Sequence, residues 1–213
     1  MATAPLLQNS NISSRIEDDL IGLVTSRICH DLVSPIGAID NGVELMTALS
    51  GTSHSAEMGL IGQSARAAGL KLRLFRIAFG AASPDAVSRG EDLRQVFEGT
   101  FNRSRLKFSW VDQTTAMSRP QAKLLALSLL CADTAMPFGG LLTLTVLDSG
   151  VTLSMSSERF RWQDDLWAAL CGDGTFTDVG AGNVQFPLAR LHADQMGRRF
   201  ALREDTQSWI LSV

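Results

Sequence analysis

The stretch Arg27-Ile28-Cys29-His30-Asp31-Leu32-Val33-Ser34-Pro35-Ile36-Gly37-Ala38-Ile39 decides how this chain is read. A histidine stands beside an acid, and Ser-Pro follows four residues after it, all within helical apolar spacing. Proline inside a helix removes one backbone donor and crowds the carbonyl four residues back, at a cost of about 3 kcal/mol. Here that carbonyl belongs to Asp31. The simplest reason to place a distortion there is to display His30. Packing of a kinked helix, with Gly37 and Gly42 nearby, is the plainer alternative.

On either side of this stretch the apolar positions Ile21, Val24, Ile28, Leu32, Pro35 or Ile36, Ile39, Val43 and Met46 recur mostly at steps of three and four. That is the stripe of one amphipathic helix. His30 lies two residues from Ile28 and from Leu32, about 200° round the helix from each. It points away from the stripe, towards solvent. Ser13 or Ser14 is the expected cap, with Glu17, Asp18 and Asp19 in the first turn. Residues 1 to about 12 are expected to fray, and the helix to run to about Leu49. Gly51-Thr52-Ser53 breaks it, and Ser53 or Ser55 can cap a second helix reaching about Ala82. The second stripe, Ile61, Ala65, Ala68, Leu72, Phe75 and Phe79, has the spacing of a bundle seam. So short a connection makes the helices antiparallel neighbours. Two helices cannot enclose a core, so the expected solution is a homodimer with a four-helix bundle.

After Ser83-Pro84-Asp85 the pattern changes. A helix near Gly90–Thr100 leads to an alternating run, Leu106–Val111. Pro120 opens an apolar helix from Gln121 to about Met136, ended by Pro137-Phe138-Gly139-Gly140. Leu141–Leu147 and Val151–Met155 read as a hairpin across Asp148-Ser149-Gly150. Helices near Trp162–Leu170 and Val184–Met196 flank a glycine-containing stretch. Arg198–Arg203 and Ser208–Val213 close the chain as a strand pair. Such blocks point to a mixed sheet with helices on one face.

The 213 residues are 45% hydrophobic and 19% charged, with a net charge of -3, so the chain can bury a core and shows no basic run suited to nucleic acid. Cys29, Cys131 and Cys171 are odd in number and lack metal spacing, which reads as reduced thiols of a cytoplasmic protein. No apolar run is long enough to span a membrane, and no secretion signal is visible.

Imidazole is nucleophilic near neutral pH and can carry a phosphoryl group between two easier transfers. Phosphoryl transfer asks mainly for positioning and charge stabilisation, so an exposed histidine can suffice when a partner brings the metal and acids. Asp31 could hold the ring tautomer, and Ser34, one turn on, could bond phosphoryl oxygens. His54 and His192 have no such context and read as structural or solvated.

The run from His30 to Ile39 resembles the phosphoacceptor box of sensor histidine kinases, His-Glu/Asp-x-x-Thr/Ser-Pro-x-x-x-Ile. The chain from about residue 14 to 213 looks like the ChpT-type dimeric histidine phosphotransferases of bacterial phosphorelays. Its second helix around Lys71–Ala81 and the later helix, Pro-x-Gly-Gly and hairpin share in the likeness. The resemblance implies an α+β chain. Residues 13–82 would form the dimerisation and phosphotransfer hairpin, and residues 86–213 an α/β sandwich resembling a degenerate kinase ATPase (Bergerat-type) domain. Kinases carry Asn-x-x-x-Asn on the ATP-binding helix, where the second asparagine helps to hold magnesium. Here Ser128 and Ala132 stand at those positions, and an Asp-x-Gly-x-Gly box is missing. Asp148-Ser149-Gly150 reads as turn chemistry, and Gly172-Asp173-Gly174 and Gly180-Ala181-Gly182 are weak nucleotide signals.

The expectation is therefore an ATP-independent phosphotransferase with His30 as carrier and Asp31 and Ser34 as orienting neighbours. It would relay phosphoryl groups from the receiver domain of a hybrid kinase to response regulators. The chain would bind no cofactor, with Mg2+ held by the partner receiver. Lys71, Arg73 and Arg76 are candidate receiver contacts or a solvated basic face. The alternatives are an ATP-dependent histidine kinase with a divergent site, and a non-catalytic dimeric adaptor that binds receivers.

Overall fold

The computed structural model describes residues 6–48, 55–83, 85–111, 116–147, 150–205 and 208–213. Two long helices come first, α1 (Leu6–Ala48) and α2 (Ser55–Ala78), packed side by side. They run antiparallel, since Lys71 meets Asp31 while Ile61 meets Gly42. A Cβ added at Gly42 would lie 2.6 Å from Ile61 Cγ1, so glycine is what lets the helices close there. Pro35 lies inside α1 without ending it.

Two expected boundaries are corrected. α1 begins at Leu6 rather than at a cap on Ser13 or Ser14. Once a long amphipathic helix exists, adding residues at its end costs little, and Asn and Ser carry only a modest penalty. α2 ends at Ala78, short of Ala82. A Cβ at Gly80 would come 2.3 Å from the Arg76 carbonyl oxygen, so the chain turns there on a residue without one. The expected break at Gly51-Thr52-Ser53, His54 and the Asp148-Ser149 turn lie outside the described residues.

The remainder runs β1 (Val87–Arg89), α3 (Gly90–Phe101), β2 (Leu106–Trp110), β3 (Ala116–Ser118), α4 (Arg119–Ala135), β4 (Gly140–Leu147) and β5 (Gly150–Ser156). It continues with α5 (Asp164–Cys171), a 3-10 turn (Ala181–Asn183), α6 (Gln185–Gln195), β6 (Ala201–Asp205) and β7 (Ser208–Ser212). Five strands form one sheet in the order β2-β4-β5-β7-β6, with β2 parallel to β4 and the others antiparallel. The fold is thus α+β with a mixed sheet, as the sequence pattern predicts. β1 and β3 pair separately, and three residues each are too few to show an alternating pattern in the sequence.

Strand alternation explains the layers. On β2, Leu106, Phe108 and Trp110 are buried while Lys107 and Ser109 are exposed. The inward set joins Leu142, Leu144, Leu153, Met155 and Leu211 against Leu124, Leu125 and Leu129 of α4 in one core. Burial of each such side chain stabilises by about 1.5–3 kcal/mol. Trp162 stacks between Trp167 at 4.7 Å and Trp209 at 4.5 Å, which ties β7 to α5. α4 starts as its sequence suggests, with Pro120 in the first turn and a reciprocal capping box between Ser118 and Gln121. Gly139 ends the following turn at φ +101°, where a Cβ would strike the Arg105 carbonyl.

The C-terminal half of α2 (Leu74, Phe75, Ile77, Ala78) is buried, and α2 packs on α3 and α4. The helical hairpin is therefore rooted in the sandwich, and the middle of α1 passes over the turn at Ala181–Asn183. That passage brings the second half of the chain within reach of the residues around His30.

Candidate functional site around His30

α1 presents His30 with its side chain 86% exposed, as the helical spacing predicts. Nδ1 lies 3.1 Å from Asp31 Oδ1. An ionised carboxylate can only accept, so this contact is a hydrogen bond when Nδ1 carries the proton, and in that neutral tautomer Nε2 keeps its lone pair. Asp31 itself is only 17% exposed in its side chain and has three cationic or polar neighbours. The exposed ring thus meets a carboxylate that is itself held.

The carbonyl deprived of its donor by Pro35 is not left bare. Lys71 Nζ, reaching across from α2, donates to the Asp31 carbonyl oxygen at 3.2 Å. The same ammonium stands 3.9 Å from Asp31 Oδ2. An unmatched half-buried carbonyl costs about 1–3 kcal/mol, and here α2 supplies the missing donor. Pro35 and Lys71 thus act on one atom from two helices.

Arg27 sits one turn before Asp31 on the same side of α1. Its Nε donates to Asp31 Oδ2 at 3.2 Å, and its Nη1 to the Gly182 carbonyl at 2.5 Å. Gly182 also accepts from Nε2 of the wholly buried Gln185 at 2.9 Å, and that nitrogen donates to Thr134 Oγ1 at 2.8 Å. Nearby on α4, Asp133 pairs with Arg103. Burial raises the Asp133 carboxyl above its ordinary value, against the pull of Arg103 first and then of Arg27 and Lys71. Three cations, Arg27, Lys71 and Arg103, thus lie among the carboxylates of Asp31 and Asp133 where hairpin and sandwich meet.

Of the residues singled out in the sequence, His30 and Asp31 are brought together, and Ser34 is exposed one turn on along the same face. Lys71 is separated from Arg73 and Arg76. Lys71 turns to α1, whereas Arg73 and Arg76 line a cavity of about 620 Å³ between α2, α3 and β1, with Leu72, Val87, Arg89 and Arg119. His192 is buried, its Nε2 2.9 Å from the Pro120 carbonyl, which is a structural role. Ser128 is buried and spends its hydroxyl on the Leu124 carbonyl, and Ala132 is fully buried. Among the described residues no group of three His, Cys, Asp or Glu side chains could hold a metal, and no helix is long and apolar enough to cross a membrane.

Arg27 was missed in the sequence. Its signal was the i, i+4 spacing to Asp31, a common pairing on helices. Its second partner, 155 residues away, carries no local signal.

Comparisons with known proteins identify the family. A model of the histidine phosphotransferase C-terminal domain matches residues 90–208. The protein phosphotransferase ChpT of Brucella abortus (strain 2308) is 30% identical over 200 residues, covering 92% of this chain and 95% of that protein. A bacterial phosphotransferase of known structure, at 1.7 Å, superposes with a TM-score of 0.77 at 30% identity over 91% of this chain and 95% of its own. The chain belongs to the histidine phosphotransferase family.

Proposed function

We propose that this histidine phosphotransferase carries the phosphoryl group on Nε2 of His30 and passes it between receiver aspartates. One observation carries the reading: an exposed imidazole whose Nδ1 is held by Asp31, so that the free nitrogen faces solvent. In the forward half-reaction Nε2 attacks the phosphorus of a receiver acyl phosphate. A P–N bond forms, the P–O bond to the receiver carboxylate breaks, and that carboxylate leaves as the anion. The Nδ1 proton stays between ring and Asp31, stabilising the charge that develops on the imidazole. A second receiver aspartate then takes the phosphoryl group by the reverse chemistry. Mg2+ held by the receiver would neutralise the phosphoryl oxygens, and Ser34, exposed one turn on from His30, would bond one of them.

ATP takes no part in this scheme. At the two helix positions where kinases carry asparagines, Ser128 bonds its own helix and Ala132 is fully buried. Neither can present a magnesium ligand. Arg73 and Arg76, which follow Lys71 on α2 and line the cavity against α3 and β1, are proposed to meet an acidic receiver, while Lys71 serves Asp31.

A homodimer completes the reading. Ile21, Ile36 and Val43 share one flank of α1 and are left 66%, 48% and 48% exposed. A second copy in a four-helix bundle would cover them. Such a dimer would work in the cytoplasm, where receivers are found.

The test is to incubate the purified chain with labelled ATP alone, and separately with a phosphorylated receiver. Label should appear only in the second case. Label from ATP alone would point instead to a kinase.

A further inference from the structure

We propose that Arg27 is a positioning residue for the phosphoacceptor, fixing the Asp31 carboxylate by anchoring it to the turn at Ala181–Asn183. The proposal rests on the reading of His30 as carrier and adds a role for the second half of the chain.

The argument starts from Asp31, whose two oxygens have different tasks. Oδ1 meets His30 Nδ1 at 3.1 Å, and Oδ2 meets Arg27 Nε at 3.2 Å. Lys71 Nζ stands 3.9 Å from the same Oδ2, already tied to the Asp31 backbone. Lys71 is thus a competitor. If Arg27 let go, the carboxylate could turn towards the ammonium and withdraw Oδ1 from the imidazole. Arg27 decides which way the carboxylate faces.

An exposed Arg–Asp pair four residues apart would be a weak holder, worth about 0.3–0.5 kcal/mol, because its side chains remain free to rotate. This pair differs in two respects. Its side chains are only 16% and 17% exposed. The guanidinium is also held at its far end by the Gly182 carbonyl at 2.5 Å. That carbonyl is in turn fixed by Gln185, which is buried and bonded to Thr134 on α4. A fork of rigid donors suits this double duty, and an ammonium cannot perform it in the same way. The line from α4 through Gln185, Gly182, Arg27 and Asp31 ends on the ring nitrogen of His30. In this account the sandwich supplies orientation to the phosphoacceptor.

The test compares wild type, Arg27→Met, Arg27→Lys, Asp31→Asn and the Arg27→Met/Asp31→Asn pair as full-length chains. The readouts are the His30 tautomer by imidazole nitrogen NMR and the rate of phosphoryl uptake from a phosphorylated receiver. Wild type should hold the proton on Nδ1. Arg27→Met should shift the ring towards the Nε2-protonated form and slow uptake roughly tenfold, the scale of a lost orienting contact. Arg27→Lys should recover part of both, which a folding defect alone would not explain. In the Asp31→Asn background Arg27→Met should add little, because the two act in series. An unchanged tautomer and rate in Arg27→Met, or full additivity with Asp31→Asn, would overturn the proposal. His30→Gln separates the two levels. If that variant still accepts phosphoryl groups, the carrier assignment itself fails, whatever Arg27 does.

Discussion

Lys71 on α2 donates to the backbone carbonyl of Asp31 on α1, the one carbonyl that Pro35 leaves without a helical donor. The proline's local penalty and the lysine's long reach are therefore one arrangement. It places a cation beside the carboxylate that contacts His30.

Stability should show this dependence. Lys71→Met is expected to cost about 1–3 kcal/mol, the range for leaving a buried acceptor unmatched. Pro35→Ala restores an N–H for the same carbonyl and should stabilise by up to about 3 kcal/mol. In the Pro35→Ala background the Lys71→Met penalty should shrink. Urea denaturation of the four proteins measures the cycle, and strictly additive effects would mean that the two residues do not share that atom.

The pH dependence should carry the mark of Asp133. Its carboxyl ionises less readily in the folded chain than in the unfolded one, because burial outweighs Arg103. Above both values the charged form burdens the native state. As pH falls through the raised native value, the folded protein takes up a proton before the unfolded chain does. Wild type should therefore gain stability relative to Asp133→Asn until the unfolded value near 3.8 is passed. Thermal melts of both proteins between pH 7 and pH 4 give the comparison. A wild type that loses stability relative to Asp133→Asn as pH falls would reverse the assignment.

Thiol chemistry should follow burial. Cys29 is exposed, Cys171 half-buried and Cys131 fully buried, with the thiols of Cys131 and Cys171 pushed up chiefly by burial. Under native conditions at pH 8, iodoacetamide should label Cys29 first, Cys171 more slowly and Cys131 only after unfolding. Peptide mass mapping against time reads the order. Early labelling of Cys131 would contradict the α4 packing.

Association should depend on the uncovered flank of α1. Ile36→Glu with Val43→Glu puts two charges where apolar surface is exposed. Light scattering at micromolar concentration should show a wild-type dimer and a largely monomeric variant with an unchanged circular dichroism spectrum. A wild-type monomer would remove the bundle from the account.

Local patterns carried much of this architecture. The outward aim of His30 followed from its two-residue offset from Ile28 and Leu32, because helical geometry is periodic. The sheet followed from the alternation of Leu106, Phe108 and Trp110, and the start of α4 from Pro120. What stayed hidden depended on distance along the chain. Nothing near Lys71 says that it faces Asp31 rather than joining Arg73 and Arg76, since the rotation of α2 against α1 is set by packing at Gly42 and Ile61 and against α3 and α4. Arg27 illustrates the same limit. Its pairing with Asp31 was within reach of spacing rules, but the Gly182 carbonyl enters only once the sandwich has folded back onto α1.

The most direct measurement of the central claim is phosphoryl uptake from a labelled, phosphorylated receiver in the absence of ATP, followed by peptide mapping of the chain. Acid-labile label should fall on the peptide containing His30 and be absent from His30→Gln, with the variant's fold intact by circular dichroism. Label that persists in His30→Gln, or that maps to His192 or His54, would contradict the account.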